Sequence, residues 1–340
     1  MFLHIDLDAF FPSAEKARNK DLENRPVVVC MFTKNGKGGA VASASYEARA
    51  FGIKAGMPVS RAKALASQDT VFLQADVNYY SFLSREIMHE IAKFGKLEII
   101  SIDEAYMEIN DFNEARELAV KIKSIIKEKF KISVTVGIGK TRILAKIASK
   151  ISKPDGLKAI FSLMDVGNYE ITVIPGIGKK TAEILNKYGI IKINDLINLG
   201  TMKIKEIFPN KYGDYLSLII SDNEASIKFR KKEKQKGKFI TLDNETEDKN
   251  VIYKNALVLL EKILEEKKEE LFSSISLVLV KSDMKNLVKT RKVKPTRNKE
   301  MLSNLMKEMI NEAVIDKPIR RIGLFLSDFV KVNQKSLTDF

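Results

Sequence analysis

Two adjacent acidic residues, Asp103 and Glu104, interrupt an apolar, β-prone run, LEIISIDEAYMEI, which covers residues 97–109. An unpaired carboxylate in such surroundings is costly unless it is neutralised, paired or bound to a metal ion. Neighbouring side chains of a strand point to opposite faces, so both acids can face one ligand only where the chain turns between them. The run therefore predicts a two-stranded hairpin with the acids at its tip and a cation beside them.

The first residues of the chain supply a third carboxylate. In FLHIDLDAF, apolar side chains alternate with His4, Asp6 and Asp8, which places these three on one face of a strand. Asp6 can then join Asp103 and Glu104 in an oxygen-rich site suited to Mg²⁺, and two such ions about 4 Å apart would support in-line phosphoryl transfer. For Asp8 we favour a role as N-cap of the helix that follows. His4 is interpreted as a structural residue rather than a ligand.

Three further segments carry groups that can hold phosphate. Tyr46 and Arg49 lie three residues apart on a predicted helix, so a hydroxyl and a guanidinium fork share one face. The segment 32–40, FTKNGKGGA, is glycine-rich but lacks the Walker pattern, so we favour a flexible hairpin turn over a phosphate cradle. In VIPGIGKKTAEIL, residues 173–185, a tight turn leads into a helix whose free N–H groups and lysines can hold a phosphate. A plain turn between helices is the alternative there.

The net charge points to a polyanionic partner. The chain has 58 Lys and Arg against 44 Asp and Glu, which gives +14. The excess is concentrated in residues 228–238, with seven basic residues and one acid, and in residues 281–299, with eight and one. Such clusters are typical of proteins that bind a phosphate backbone, although solvated basic surfaces are the alternative.

Length and composition indicate a soluble cytoplasmic protein of two or more domains. The chain has 340 residues, 45% of them hydrophobic, and its longest apolar runs are too short to span a bilayer. Two acids stand near the N-terminus where a signal peptide would be apolar. The single cysteine, Cys30, lies in an apolar strand pattern and is assigned to packing, which excludes an intrachain disulfide and a Cys-type zinc site.

The elements that must position these residues follow from the periodicity of the apolar side chains. Residues 1 to about 160 alternate strands with amphipathic helices, which predicts an α+β unit with a mainly antiparallel sheet. Residues 163–227 read as a small helical domain, and the polar stretch 228–238 reads as a linker. A second α/β pattern follows the linker.

Five motifs in order resemble one known family. HIDLDAFF, AVASASYEARAFGIKAGMP, SIDEAYMEI, VTVGIGKTRILAKIASKISKPDG and IPGIGKKTAEIL resemble the Y-family translesion DNA polymerases, in the DinB-like branch with its archaeal members. The resemblance is continuous to about residue 230 and weaker beyond. It implies an α+β multidomain right-hand fold with these parts: palm 1–10 and 76–162, fingers 11–75, helical thumb 163–227 with a helix-hairpin-helix, basic linker 228–238, α/β little finger 239–331 and clamp-binding tail 332–340.

The same resemblance assigns roles to individual residues. Asp6, Asp103 and Glu104 would be catalytic and would bind two Mg²⁺ ions, with the carbonyl of Leu7 as a further ligand. Phe11 would stack under the sugar and exclude a 2′-OH, with Phe10 beside it. The positions that match nucleotide contacts are Phe10, Phe11, Met31, Ala40, Ser43, Tyr46, Arg49 and Lys153, of which Met31 and Ala40 would cover the nascent base pair.

Candidate DNA contacts combine the hairpin turn with the basic segments. They are Gly176, Gly178, Lys179, Lys180, Lys231, Lys232, Arg291, Lys292 and Arg297. In the tail NQKSLTDF, the residues Gln334, Leu337 and Phe340 follow the spacing of a sliding-clamp motif, although one aromatic stands where two are usual. A terminus without function is the alternative.

The activity implied is insertion of dNTPs on a primer 3′-OH, across damaged template bases, with low fidelity and no proofreading nuclease. Its partners would be primer-template DNA, the incoming dNTP and a sliding clamp, with the protein a monomer that does not bind membranes. Two other functions remain open from the residues alone. One is a nucleotidyl cyclase, which also uses paired acids on a palm-like sheet, and the other is a non-catalytic DNA-binding factor.

Overall fold

The chain folds into two compact units. A computed structural model describes residues 1–32, 38–221 and 235–331, of which the first two ranges form one unit and the third forms the other. The α+β architecture expected from the sequence is confirmed. No helix among the described residues is long and apolar enough to cross a membrane.

Five strands form the central sheet of the first unit: β1 (Phe2–Leu7), β5 (Leu97–Ile99), β6 (Glu104–Glu108), β7 (Val134–Gly139) and β8 (Leu157–Ile160). Their order is β5-β6-β1-β7-β8, and every neighbouring pair is antiparallel except β7 and β8. The hairpin predicted around the acidic pair is confirmed as β5 and β6. Strand β1 lies in the middle of the sheet and is hydrogen-bonded along both edges.

Four helices flank this sheet: α1 (Phe10–Arg18), α4 (Val77–Ala92), α5 (Phe112–Phe130) and α6 (Arg142–Ser152). Helix α6 packs very closely on β7, because a Cβ atom on Gly137 would lie 2.0 Å from the carbonyl oxygen of Ala145. Glycine is therefore required in β7 where the helix crosses it. This close packing fixes the position of the helix that carries Lys146 towards the sheet.

A smaller sheet of three strands has the order β3-β2-β4 and consists of β2 (Val27–Phe32), β3 (Gly39–Ala44) and β4 (Val71–Gln74). The short helices α2 (Tyr46–Ala50) and α3 (Val59–Leu65) accompany it. The antiparallel pairing of β2 with β3 agrees with a hairpin around residues 32–40, and residues 33–37 lie outside the described part. Cys30 is buried in the core of this sheet, as expected for a packing residue.

The helical segment that follows contains α7 (Lys179–Asn186), α8 (Ile193–Ile207) and α9 (Lys211–Ile220). Leu185, Leu196 and Leu216 are fully buried in its core. Helix α8 is kinked at Gly200, whose φ of 76° suits glycine.

The second unit is a four-stranded antiparallel sheet with two helices packed on it around one core. Its strand order is β11-β10-β12-β9. The linker predicted over 228–238 is too long, because its last four residues pair with β12 as part of an edge strand. The elements are β9 (Gln235–Thr246), α10 (Lys249–Glu266), β10 (Glu270–Lys281), β11 (Asn286–Thr296), α11 (Lys299–Asn311) and β12 (Ile319–Lys331).

Candidate active site

Two of the three predicted carboxylates meet across neighbouring strands. Asp6 on β1 is directly paired with Glu104 on β6, so both side chains lie on the same face of the sheet. One ligand atom from each of His4, Asp6 and Glu104 lies within 4.8 Å of the others. Asp103 is outside this group, and its carboxylate accepts a 2.6 Å hydrogen bond from the Ser101 hydroxyl.

The backbone nevertheless holds Asp103 against the same strand end. The amide of Leu7 donates a 2.9 Å hydrogen bond to the carbonyl of Asp103, which joins the last residue of β1 to the tip of the hairpin. The negative charges of Glu104 and Asp103 are close enough to Asp6 that each of them raises the pKa of its carboxyl group. The three acids thus belong to one electrostatic site.

Two lysines of the α6 region form ion pairs with two of these acids. Lys153, directly after the helix, donates to Asp6 Oδ1 at 2.5 Å, and Lys146 donates to Glu104 Oε2 at 2.7 Å. Burial raises the pKa of Asp6 to about 6, although Lys153 acts in the opposite direction. An ionised Asp6 is therefore held at a cost in free energy, and its charge is one that a cation would stabilise.

His4 is buried and uncharged. Its Nδ1 atom lies 2.7 Å from the Ser149 hydroxyl, and its ring packs at a tilt against Tyr106. Burial, and then the nearby charges of Lys146 and Lys153, together lower the pKa of His4 to about 3. These contacts agree with a structural histidine, yet its Nε2 atom has no hydrogen-bond partner among the described residues and lies 4.0 Å from Glu104 Oε2.

Tyr46 and Arg49 share one face of helix α2, as their spacing predicts. The Arg49 guanidinium carbon lies 4.7 Å from the centre of the Tyr46 ring, and its Nε atom donates to the carbonyl of Ala44 at 2.9 Å. The helix begins here because the Ser45 side chain caps it, accepting from the amide of Ala48. Ser43, on β3 just before this turn, is half-buried.

The N-cap role expected for Asp8 is wrong. Helix α1 begins at Phe10 with Ala9 as N-cap in the left-handed conformation, and no side chain caps it. The Asp8 carboxylate instead accepts hydrogen bonds from the Thr135 hydroxyl, the Tyr46 hydroxyl and the amide of Asp155. Tertiary partners outweigh the local capping pattern at this position.

The two aromatic residues at the start of α1 differ in exposure. Phe10 is only 3% exposed and packs in the main core, so its side chain is not accessible to a nucleotide. Phe11 is partly exposed and stacks on Tyr80, with ring centres 4.4 Å apart. Of the pair, only Phe11 presents an accessible ring.

Met31 and Ala40 are both exposed and face each other across β2 and β3. The register therefore brings these two predicted nucleotide contacts together on one hairpin.

The predicted phosphate-binding turn in the helical segment has an open helix start. Gly176 adopts a φ of +86°, and Gly178 is the N-cap of α7 without a side-chain cap. Lys179 and Lys180 at the start of the helix are exposed. Two tyrosines of α9 brace the turn, since Tyr212 and Tyr215 donate to the carbonyls of Gly176 and Pro175 at 2.9 and 2.7 Å.

The basic residues of the second unit divide into two groups. Arg291 and Lys292 on edge strand β11 are exposed, and Arg291 also pairs with Glu312. Arg297 instead donates to the carbonyls of Leu264 and Lys268 at the end of α10, so it stabilises a helix terminus and is not free to contact DNA. The remaining predicted contacts lie outside the described residues: Lys231, Lys232, Gln334, Leu337 and Phe340.

Sequence reasoning missed Lys146, Thr135 and Lys123 as parts of the site. Lys146 could have been found, because it precedes Lys153 by two helical turns and so shares its face. Thr135 and Lys123 carry no such signal, since only the tertiary fold brings them to the turn at residues 153–156.

Comparison with known proteins agrees with this geometry. Residues 5–150 match the model of the impB/mucB/samB family, and residues 264–338 match that of its C-terminal domain. DNA polymerase IV of Metallosphaera sedula is 36% identical, over 99% of both chains. DNA polymerase IV of Nitrosopumilus maritimus is 33% identical, over 99% of this chain and 98% of that protein.

Solved structures extend the similarity to the fold. The Y-family DNA polymerase chimera Dbh-Dpo4(243-245)-Dbh matches with a TM-score of 0.88 and 31% identity, over 97% of this chain and 99% of that chain. DinB from Sulfolobus solfataricus matches with a TM-score of 0.64 and 31% identity, over 98% and 99%. An insertion ternary complex of Dbh DNA polymerase matches with a TM-score of 0.68 and 30% identity, over 97% and 99%.

Fold and site together define a DNA-directed DNA polymerase. The chain belongs to the Y family of these enzymes, among relatives named DNA polymerase IV or DinB. The nucleotidyl cyclase and the non-catalytic DNA-binding factor are therefore set aside.

Proposed function

We propose that this polymerase inserts dNTPs on a primer 3′-OH opposite damaged template bases, using two Mg²⁺ ions, with low fidelity and without a proofreading nuclease. The observation that carries the proposal is the cross-strand pair Asp6 and Glu104 with Asp103 at the adjacent hairpin tip. Membership of the family supports translesion synthesis as the setting.

The residues present fit a divalent metal ion. Their donors are hard carboxylate oxygens, which Mg²⁺ prefers. The raised pKa of Asp6 supports this fit, because a buried carboxylate that is costly to ionise gains most from a cation. Asp6, Asp103, Glu104 and the carbonyl of Leu7 would hold the ions. Bound there, the ions would acidify the primer 3′-OH and stabilise the charge that develops on the triphosphate.

Side chains of this chain would bind and orient the nucleotide. Arg49 and Tyr46 offer a guanidinium fork and a hydroxyl to the triphosphate, and Lys153 would move from Asp6 to a phosphate oxygen. Phe11 would exclude a 2′-OH by steric contact, because its ring is supported from behind by Tyr80.

Primer-template DNA would be held by phosphate contacts at several places. The uncapped start of α7 offers backbone N–H groups beside Lys179 and Lys180. Arg291 and Lys292 add positive charge on β11. The insertion ternary complex of the related Dbh polymerase supports DNA and a nucleotide as partners. A sliding clamp is proposed to bind the tail through Gln334, Leu337 and Phe340, with the protein acting as a monomer.

Primer extension with Mg²⁺ and dNTPs, on undamaged and abasic templates, tests the proposal. Asp103→Ala and Glu104→Ala should each abolish extension and leave DNA affinity intact, since the basic surfaces are unchanged. Glu108→Ala is the matched control, because this exposed acid lies on the same strand at the end away from the site.

Three results would contradict the proposal. Retained extension in both variants would remove the metal site, and failure of the wild type on abasic templates would remove the translesion role. Shortening of a mismatched primer without dNTPs would reveal a nuclease that the proposal excludes.

A further inference from the structure

Asp8 is a buried carboxylate with more hydrogen bonds than any capping role would need. It is 1% exposed and lies one residue after the proposed carbonyl ligand of Leu7. Its Oδ1 atom accepts from the hydroxyls of Thr135 at 2.8 Å and Tyr46 at 3.2 Å. Its Oδ2 atom accepts from the same Thr135 hydroxyl at 3.0 Å and from the amide of Asp155 at 2.9 Å. Burial of this carboxylate is compensated by these donors.

The donors come from three separated parts of the first unit. Tyr46 starts helix α2 beside the small sheet, Thr135 lies on strand β7 next to β1, and Asp155 lies in the turn after α6. Tyr46 and the turn residue Lys153 are two of the side chains proposed to contact the triphosphate. The Asp8 carboxylate therefore connects helix α2, which carries Tyr46, and the turn that carries Lys153 to the end of β1.

The turn at residues 153–156 is also held from its other side. The Lys123 ammonium donates to the carbonyls of Asp155 at 2.7 Å and Gly156 at 3.3 Å, and to the carboxylate of Asp155 at 2.7 Å. Gly156 packs on the end of α6, where a Cβ atom would lie 1.9 Å from the Ser152 carbonyl oxygen. The turn is fixed between Asp8 and Lys123, which leaves Lys153 to project from a rigid support.

The hydrogen bond between Tyr46 and Asp8 is the weakest of the four by its length. Burial, and then the Asp8 carboxylate, raise the pKa of the Tyr46 hydroxyl above its ordinary value, so this hydroxyl is the proton donor. At 3.2 Å it is the longest of the four contacts. The Tyr46 hydroxyl is therefore the donor that can most easily change its acceptor from Asp8 to a phosphate oxygen. The amide of Asp155 donates to Asp8 at the shorter distance of 2.9 Å, and this bond attaches the turn to Asp8.

We propose that Asp8 is a positioning residue for the incoming triphosphate, because it holds Tyr46 and the turn bearing Lys153 in the arrangement that the phosphates meet. The inference rests on the proposed function, which assigns the triphosphate to these two side chains. Asp8 itself would bind neither the metal ions nor the nucleotide, and would act through Tyr46 and Lys153. Side chains that are already held in the arrangement of the complex lose less conformational freedom on binding, which increases the affinity for the nucleotide.

The test compares Asp8→Ala, Asp8→Asn and Thr135→Val with wild type. Equilibrium binding of a dNTP to the enzyme on a dideoxy-terminated primer-template, with Ca²⁺, gives an affinity that does not depend on turnover. Asp8→Ala should weaken this affinity, and raise KM, by about tenfold or more, while kcat changes only a few-fold. Asp69→Asn, at an exposed loop position, is the control.

The conservative variants separate positioning from mere stability. Asn can still accept from the Asp155 amide and can donate to the hydroxyls of Thr135 and Tyr46, so Asp8→Asn should lie closer to wild type than to Asp8→Ala. Thr135→Val keeps the carboxylate but removes its Thr135 donor and the acceptor of the Gly156 amide, and should weaken dNTP binding several-fold. If Asp8 acts through Tyr46, adding Tyr46→Phe to Asp8→Ala should cost less than it does in wild type.

Unchanged dNTP affinity in Asp8→Ala, with only a lower melting temperature, would overturn the inference, as would an Asn variant no better than Ala. If Asp8→Ala fails to fold, unchanged affinity in Thr135→Val has the same meaning. Failure of the proposed function looks different, because the wild-type protein itself would then not extend a primer.

Discussion

Replacing Asp6 by Asn should stabilise the metal-free protein at neutral pH while abolishing primer extension. Burial raises the pKa of Asp6 from 3.8 to about 6, and the ion pair with Lys153 offsets burial only in part. Asn has nearly the shape of a protonated carboxyl group and cannot ionise. The substitution therefore removes a charge that the folded protein holds at a cost.

The magnitude follows from the size of the pKa shift. A shift of about two units corresponds to about 3 kcal/mol, since each unit is worth about 1.4 kcal/mol. A folded carboxyl with a raised pKa keeps a proton that the unfolded chain releases. The free energy of unfolding of wild type thus falls as pH rises from 3.8 to about 6, and the variant lacks this change. Its advantage should grow across that interval and stay constant above it.

Urea unfolding followed by circular dichroism, in EDTA between pH 4.5 and 7.5, measures this difference in a chain that has no tryptophan. Asp69→Asn, at an exposed position, should show no such trend. Added Mg²⁺ should narrow the gap, because the ion stabilises ionised Asp6 and finds a poorer ligand in Asn. A difference independent of pH, or a wild type more stable than the variant above pH 6, would refute the reasoning.

Phe11→Ala should lower the ratio of dNTP to rNTP insertion efficiency, because the steric contact with a 2′-OH is lost; an unchanged ratio would place the selection elsewhere. Gly323→Ala should destabilise the second unit by about 1–3 kcal/mol in urea unfolding, since a Cβ would lie 2.3 Å from a ring carbon of Phe239. Gly95→Ala, where a Cβ would meet a flexible methionine side chain at 3.1 Å, is the control and should cost less. DNA affinity falls by about 0.9 log unit per log unit of salt for each phosphate that the protein neutralises. Neutralising four lysines within 281–299 should therefore make this slope shallower. An unchanged slope would show that this segment is solvated surface only.

The elements around the acids could be predicted because their signals are local. Strand β1 shows strict alternation, and an acidic pair inside an apolar run predicts a hairpin tip at Asp103 and Glu104. Tyr46 and Arg49 share a face because three residues make nearly one helical turn. In each case the residues that decide the structure are close together in the sequence.

The predictions from sequence were wrong where the contacts of a residue come from parts of the chain that are distant in the sequence. Asp8 precedes a helix as a capping residue would, yet Thr135 and Asp155 are its partners. Residues 235–238 lack apolar periodicity, yet they pair with β12, and Lys236 and Lys238 form ion pairs with Glu266 at the end of α10. Arg297 belongs to a basic run in the sequence, but its guanidinium donates to a carbonyl at the end of α10, which is distant in the sequence.

The location of β1 within its sheet has a consequence for how the site responds to heat or denaturant. Asp6 and Leu7 lie on the central strand, whose amides exchange with solvent only when much of the sheet opens. Tyr46 and Arg49 lie on a helix of five residues, which local fluctuations can unfold without disturbing that sheet. Low concentrations of urea should therefore weaken nucleotide affinity while the sheet that carries Asp6 and Glu104 remains folded, so that loss of activity precedes global unfolding.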